Sequence, residues 1–489
     1  MNLEGLLTFL GLLVAAIAIM GPVQRRSLVL FVPKWLLPVA TIVAVLLLML
    51  RDMPLGIPPA FGWRLDLVEY WLTLGAFVVP VAAALVGWKL WDDARLSSRN
   101  LPELEQFLQT ALREGEFDEV DRVLRKNKDR LGTIPTGAAS LLFDGRVVRQ
   151  LLASHSALHL ELLAREAILK SLENKLQAVE VVVREMLEAA AAPLQAAVVH
   201  KYGGIEHLNY SEQERKLIGA TFENPRWYHD TNAHYPLIIT AINKIESGTL
   251  DDRYNRPDEN YVAKQGVSKR ATCPIYLAAK MEALAIEVAI KAGSGEDFYI
   301  SDLFQILQKI LDHSSFDPTS STAPAGMRAP YTPYSYLVEG TVRDLQDLTE
   351  TAVQESVKRH NGPPEDAKPN RSDRIVVSMW SFCLWELMNE LNRIDPVIVE
   401  ELVESYFWFM FALGWQPSEV IFLHGQGCQS LNSWRDIFLK ELQARLKSPK
   451  RGHIDMIKQV LQNLDFGKPF ISEGYDWLET VLPAQFLPN

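Results

Sequence analysis

LLTFLGLLVAAIAIMGPV (Leu6–Val23), WLLPVATIVAVLLLML (Trp35–Leu50) and VEYWLTLGAFVVPVAAALVGW (Val68–Trp88) decide how this chain is built. No ionised side chain interrupts the interior of any of them; Glu69 stands at the very start of the third. A helix of ~20 apolar residues, rising ~1.5 Å per residue, crosses the hydrocarbon core of a bilayer. The first and third runs reach that length. The second is shorter, but Leu28–Val32 and Lys34 precede it. A lysine in that place can keep its stem among lipid and extend its ammonium to the interface. The expectation is a membrane domain over residues 1–95 with three transmembrane helices at about 5–23, 32–50 and 68–90.

Only Glu4 is charged ahead of the first run, where a cleavable signal peptide would carry basic residues, so the run reads as a retained span. Arg25, Arg26 and Lys34 lie between the first two runs with no acid among them, whereas Arg51 and Arg64 in the next connection are accompanied by Asp52, Asp66 and Glu69. Lys89, Arg95 and Arg99 follow the third run. Basic residues near span ends stay cytoplasmic. This puts the N-terminus outside, everything after Trp88 in the cytoplasm, and the chain in the inner (plasma) membrane as a multi-pass protein. Trp35, Trp63, Trp71, Trp88 and Trp91 fall near the expected interfaces, where amphipathic rings gather. Gly11 and Ala15 are four apart in the first span; Gly75, Val79, Ala83 and Gly87 form one row in the third, with Pro80 expected to kink it. Small residues at this spacing let helices approach closely, here the three spans of one chain or, alternatively, spans of two chains.

The 489 residues carry 49 basic and 60 acidic side chains, a formal net charge of -11. Residues 1–95 are close to neutral, so the acidity belongs to the remainder, which makes nucleic acid a poor partner. The three cysteines, Cys273, Cys383 and Cys428, are odd in number and far apart, as expected of free thiols in a reducing compartment.

The soluble part reads as all-α. Residues 96–135 form a helical hairpin with apolar faces Leu104–Phe107–Leu108–Leu112 and Phe117–Val120–Val123–Leu124, turning at Gly115. It resembles a single tetratricopeptide-type unit, without the further copies a solenoid needs. A long-helix region, 136–225, follows. In Leu158–Met186, apolar residues recur every seven positions, which suits a self-associating coiled coil, but Ile168, Val181, Val182 and Leu187 widen the stripe toward a buried bundle helix. The all-α C-terminal domain, 226–489, is expected to have helices over Thr231–Ile245, Ala271–Ala292, Ser301–Leu311, Tyr336–Val357, Ile375–Leu391, Val397–Trp415, Trp434–Leu446 and Ile454–Leu464. Glu400, Glu401 and Glu404 make Val397–Trp415 a core helix rather than a fourth span. Val420–Leu423 is the only short strand candidate.

Chemistry-bearing residues are sparse. His424 and Cys428 in HGQGCQS could pair as base and nucleophile, or the glycines could open a helix N-terminus to an anion; the bland alternative is a turn between helices. His229, Asp230 and His234 are the types that hold a metal, but the histidines are five apart, which suits a surface cluster better. Arg149 precedes His155 by six residues. That spacing resembles the motif of the HEPN ribonucleases, helical proteins whose arginine and histidine act on RNA phosphates; the resemblance implies an RNase role for Arg149 and His155 against a plain helix surface. No phosphate-binding loop, nucleophile elbow, zinc-protease helix or kinase set is present. No cofactor is expected. The leading expectation is a membrane-anchored, non-enzymatic helical protein. Its cytosolic part binds a partner or self-associates through Leu158–Met186 to alter the bilayer, in the manner of a bacterial stress or phage-defence effector. A membrane-tethered scaffold or an unfamiliar hydrolase is the alternative.

Overall fold

The computed structural model describes residues 3–52, 62–97, 100–127, 130, 135–153, 175–188, 198–202, 205–209, 212–247, 273–293, 300–314, 333–360, 367–391, 393–394, 396–413, 431–464 and 469–487. The chain divides into two compact units, 1–182 and 183–489.

The first unit begins with α1 (Leu3–Ile19), α2 (Pro22–Phe31), α3 (Leu36–Asp52) and α4 (Gly62–Asp93). The expected first span, 5–23, is cut short: the chain bends by 120° between α1 and α2. Gly21 is extended and Pro22, which has no N–H to offer, starts the new helix. Arg25 reaches back across the bend, Nε donating to the Met20 carbonyl (2.8 Å) and Nη2 to Ala18 (2.7 Å). It thereby satisfies carbonyls that the end of α1 would leave open. α2 is amphipathic, burying Val23, Ser27, Leu30 and Phe31 and exposing Gln24, Arg25 and Arg26.

α4 has 32 residues and runs through Pro80 as one helix. Its Leu67–Asp93 part is long and apolar enough to cross a bilayer; the apolar part of α3, Leu36–Arg51, is shorter. α3 lies along α4, with Ala44, Leu48 and Ala76 buried between them and Leu10 of α1 against the same cluster. Phe9 meets Phe77 edge-on at 6.2 Å. The small residues of α4 permit this approach. A Cβ on Gly75 would lie 3.4 Å from Leu47, and one on Gly87 3.4 Å from Val32 and 3.7 Å from Leu36. Gly11 of α1 has nothing within 4 Å of that position. Outward, these helices bare Leu12 (67%), Ile19 (86%) and Leu85 (65%), and Trp35, just ahead of α3, is 62% exposed.

The expected hairpin is formed by α5 (Leu101–Glu114) and α6 (Asp118–Asn127). Gly115 turns it at φ 73°, its N–H closing on the Ala111 carbonyl at 2.8 Å. Leu104, Phe107 and Leu108 are buried from α5, and Val120, Val123 and Leu124 from α6. A shorter pair, α7 (Thr136–Leu142) and α8 (Gly145–Ala153), continues from it, with α7 on α5. α9 (Lys175–Glu188) crosses the division between the units. It is the described part of the expected Leu158–Met186 helix; residues 158–174 lie outside the described residues. In it Val179, Val183 and Met186 are buried, but so are Ala178, Val182 and Leu187, while Leu176 is exposed. That is a broad stripe rather than a two-position seam.

The second unit is helical as expected, apart from one antiparallel hairpin that follows α9: β1 (Val198–Tyr202) and β2 (Ile205–Asn209), in register Val198↔Asn209 to Tyr202↔Ile205. Gly203 and Gly204 stand between them in the sequence, a pair favoured in two-residue hairpin loops. Helices follow: α10 (Glu212–Ala220), α11 (Pro225–Thr231), α12 (His234–Glu246), α13 (Pro274–Ala292), α14 (Ile300–His313), α15 (Pro333–Arg359), α16 (Arg371–Asn389), α17 (Pro396–Leu413), α18 (Asn432–Arg445), α19 (Arg451–Asn463) and α20 (Pro469–Val481). The helix expected over Thr231–Ile245 is α12, which starts three residues later, at His234; Asn232, at a left-handed φ of 52°, ends the preceding α11. α17 is a core helix as expected: Phe407, Phe409 and Phe411 are each 1% exposed. Trp380 of α16 centres its aromatic surroundings, edge-on to Tyr406 (5.1 Å), Phe409 (5.5 Å) and Phe438 (5.9 Å). Between α15 and α16, Arg359 grips Asp373 (3.0 and 2.7 Å), which also caps α16 with Asn370. Val420–Leu423 lies outside the described residues.

Candidate functional site

The densest polar constellation of the first unit lies where the apolar helices meet the hairpin. The C-terminal end of α1, the N-terminal end of α3 and the C-terminal end of α4 all arrive there. Gly21 lies against Glu116, Lys34 pairs with Glu103 at 3.0 Å, and Trp91 Nε1 donates to Ser27 Oγ at 3.0 Å. Ser27 is wholly buried, the one polar side chain on the inner face of α2, which packs on α5. Its hydroxyl donates to Glu119 of α6.

Arg122 of α6 completes the node. It forms an ion pair with Glu119, donates from Nη2 to Ser27 Oγ (3.3 Å) and from Nη1 to the carbonyls of Trp91 (3.1 Å) and Asp92 (3.3 Å), and lies 4.8 Å over the Trp91 ring. One planar cation thus holds α2, α4 and α6 together, a task suited to the forked guanidinium. Below it Asn127 donates to the carbonyls of Ala94 and Val123 (2.8 Å for the latter) and accepts from the Leu96 N–H at 2.6 Å. Arg130 Nη1 donates to the Leu96 carbonyl at 2.9 Å. The segment leaving α4 is therefore fastened by its own backbone. Ala94, at φ 45°, takes a left-handed conformation within this grip.

No known protein family matches this chain, and neither does any curated protein or solved structure. What the site can do must be read from its geometry.

The residues singled out from sequence fare differently. Arg149 is exposed on α8, whereas His155 lies outside the described residues, as do His424 and Cys428. His229 and Asp230 are exposed on α11; His234, half-buried at the start of α12, is depressed in pKa by burial and then by His229. Among the described residues no group of three His, Cys, Asp or Glu side chains is placed to hold a metal. Cys273 and Cys383 are buried free thiols; burial raises both, Cys273 to about 11, so neither is thiolate at neutral pH. In the second unit Lys280 of α13 is paired with buried Asp344 of α15, whose carboxylate keeps the ammonium charged against the cost of burial.

The junction itself escaped sequence reading. Its one local signal is Ser27, a hydroxyl in the buried row Val23–Ser27–Leu30–Phe31. Glu119 and Arg122 read in sequence as an ordinary i,i+3 surface pair.

Proposed function

We propose that this protein is a membrane-anchored helical binding protein without catalytic activity, in which the junction around Arg122 passes movement of the cytosolic helices to three spans, α1, α3 and α4. The observation that carries this reading is the location of apolar exposure. Among the described residues, the large apolar side chains left exposed fall within residues 7–90, apart from Leu176, Tyr235 and Val397. A band of that kind in water would be an aggregation surface; in lipid it is at home. The arrival of three helix ends at one face of the hairpin fits an N-terminus outside, a 53–61 connection outside, and a cytoplasmic remainder. It also agrees with the basic residues Arg25, Arg26, Lys34 and Lys89 at that face. The inner membrane is then the site of the protein.

Three apolar spans enclose no aqueous pore, and none carries a buried charge for an ion relay. Altering the bilayer therefore requires several chains, drawn together by a partner or by self-association of the cytosolic helices. The test is dye and potassium release from vesicles holding the full chain fused at its C-terminus to a chemically induced dimeriser. Release on adding the dimeriser, lost in Arg122→Ala at equal insertion, supports the reading. Associated protein that leaves the vesicles tight reduces the spans to a tether.

A further inference from the structure

Glu282 is fully buried on α13 (0% exposed), and its two oxygens are treated unequally. Oε2 accepts a hydrogen bond from Tyr228 Oη of α11, while Oε1 is closed off without a partner. Asp302 of α14, 7% exposed, faces the same layer. Its Oδ1 accepts long hydrogen bonds from Ser301 and Gln305 (3.4 Å each), and its Oδ2 is likewise buried without a partner.

Among the described residues, the helices packed on α13 bring no cation to this pair. From α11 come Tyr228 and the exposed Arg226, His229 and Asp230; from α12 come half-buried His234 and Lys244 and exposed Glu246, which pairs with Lys309 of α14. From α15 come Asp344 and Asp347, which face Lys280, the cation of α13 that Asp344 already holds; Lys291 of α13 pairs with Glu287. A carboxylate with one hydrogen bond and no counter-charge is disfavoured against its neutral acid.

We propose that Glu282 is a proton-loaded latch, neutral while α11 and α14 are closed on α13, and that its ionisation releases them. Burial drives the Glu282 carboxyl well above the usual range; the Tyr228 hydroxyl opposes this and the Asp302 charge adds to it. Asp302 itself is pushed up to about 6 by burial, with Ser301 opposing. The closed layer binds protons more tightly than the opened one, so closure is favoured at low pH. It weakens from about pH 4.5, the ordinary value of a glutamate, until Glu282 ionises in place. Above about pH 7 Asp302 is largely ionised, and most of the remaining slope belongs to Glu282.

The experiment is amide hydrogen exchange of the full-length protein in lipid discs between pH 7 and 8.5, corrected for intrinsic exchange and read in peptides from α11 and α14. The expected result is protection falling about tenfold per pH unit in the wild type and flat in Glu282→Gln, with Tyr228→Phe keeping the slope. A flat wild-type profile, or an equal slope in Glu282→Gln, overturns the latch. Should the glutamine variant fail to fold, infrared titration of the wild type decides. A protonated-carboxyl band persisting above pH 7 and vanishing together with the protection supports the latch, and its absence overturns it.

Discussion

At the scale of single residues, half-buried Arg122 and buried Asp302 illustrate opposite surroundings for a charge. Arg122 is surrounded by acceptors: a carboxylate, a hydroxyl and two carbonyls. Arg122→Ala should cost about 2–3 kcal/mol, since hydrogen bonds to charged groups are the strong ones and Glu119 would be left without its cation. The readout is a lower thermal midpoint in detergent. Arg122→Lys should recover only part of it, because an ammonium is a point charge and cannot span α2, α4 and α6 as a fork. Asp302 is under-supplied instead. Its folded value of about 6 lies above the ordinary aspartate value of 3.8, so this group favours the folded state below about pH 4 and loses that contribution as pH rises to about 6. Asp302→Asn should therefore gain stability relative to the wild type above pH 6 and show no such gain near pH 4, as seen in paired thermal melts. Neither role is written in the local sequence. Glu119–Arg122 looks like a surface pair, and nothing near Asp302 or Glu282 announces that partners from other helices will bury them.

At the scale of elements, the patterns that depend on a few neighbouring residues were legible. Gly115, the apolar faces of α5 and α6, and the acids that mark α17 as a core helix all express local geometry and solvation. Breaks and pairings were harder. The apolar run through Val23 hides the bend, because Gly21 and Pro22 are as apolar as a span and only their backbone properties reveal the new helix. The left-handed turn at Asn232, which sets α12 to begin at His234, has no apolar signature, and the Gly203–Gly204 pair is a faint signal beside two short strands. The small residues of α4 behave as intrachain contacts. Gly87→Leu should overpack the approach of α4 to Val32 and Leu36 and cost about 1–3 kcal/mol. Gly11→Leu should leave the fold's stability unchanged, because nothing lies within 4 Å of its Cβ position. Melting curves of both variants in lipid discs check this. A loss at Gly11 equal to that at Gly87 would show that α1 has a neighbour from another chain.

At the scale of the whole molecule, three apolar helices deliver their ends to one face of the α5–α6 hairpin. Among the described residues α4 alone meets the length of a span unaided; as proposed spans, α1 and α3, at 17 residues each, are ~25 Å long and would need the interface to close the difference. Tryptophans and snorkelling basic residues at their ends are the means: Trp35 and Lys34 before α3, Arg25 folded back over the end of α1. Which sides of the membrane these ends reach decides whether Arg122 connects three spans or one. The measurement is labelling by a membrane-impermeant thiol reagent of single cysteines placed at Asn2, Pro58 and Ser98, in a background with Cys273, Cys383 and Cys428 replaced, in intact cells and in broken ones. The account predicts that positions 2 and 58 are labelled from outside and that position 98 is labelled only after the cells are broken. Position 2 protected together with position 98 would mean that α1 returns to the cytoplasmic face, and would contradict the three-span anchor.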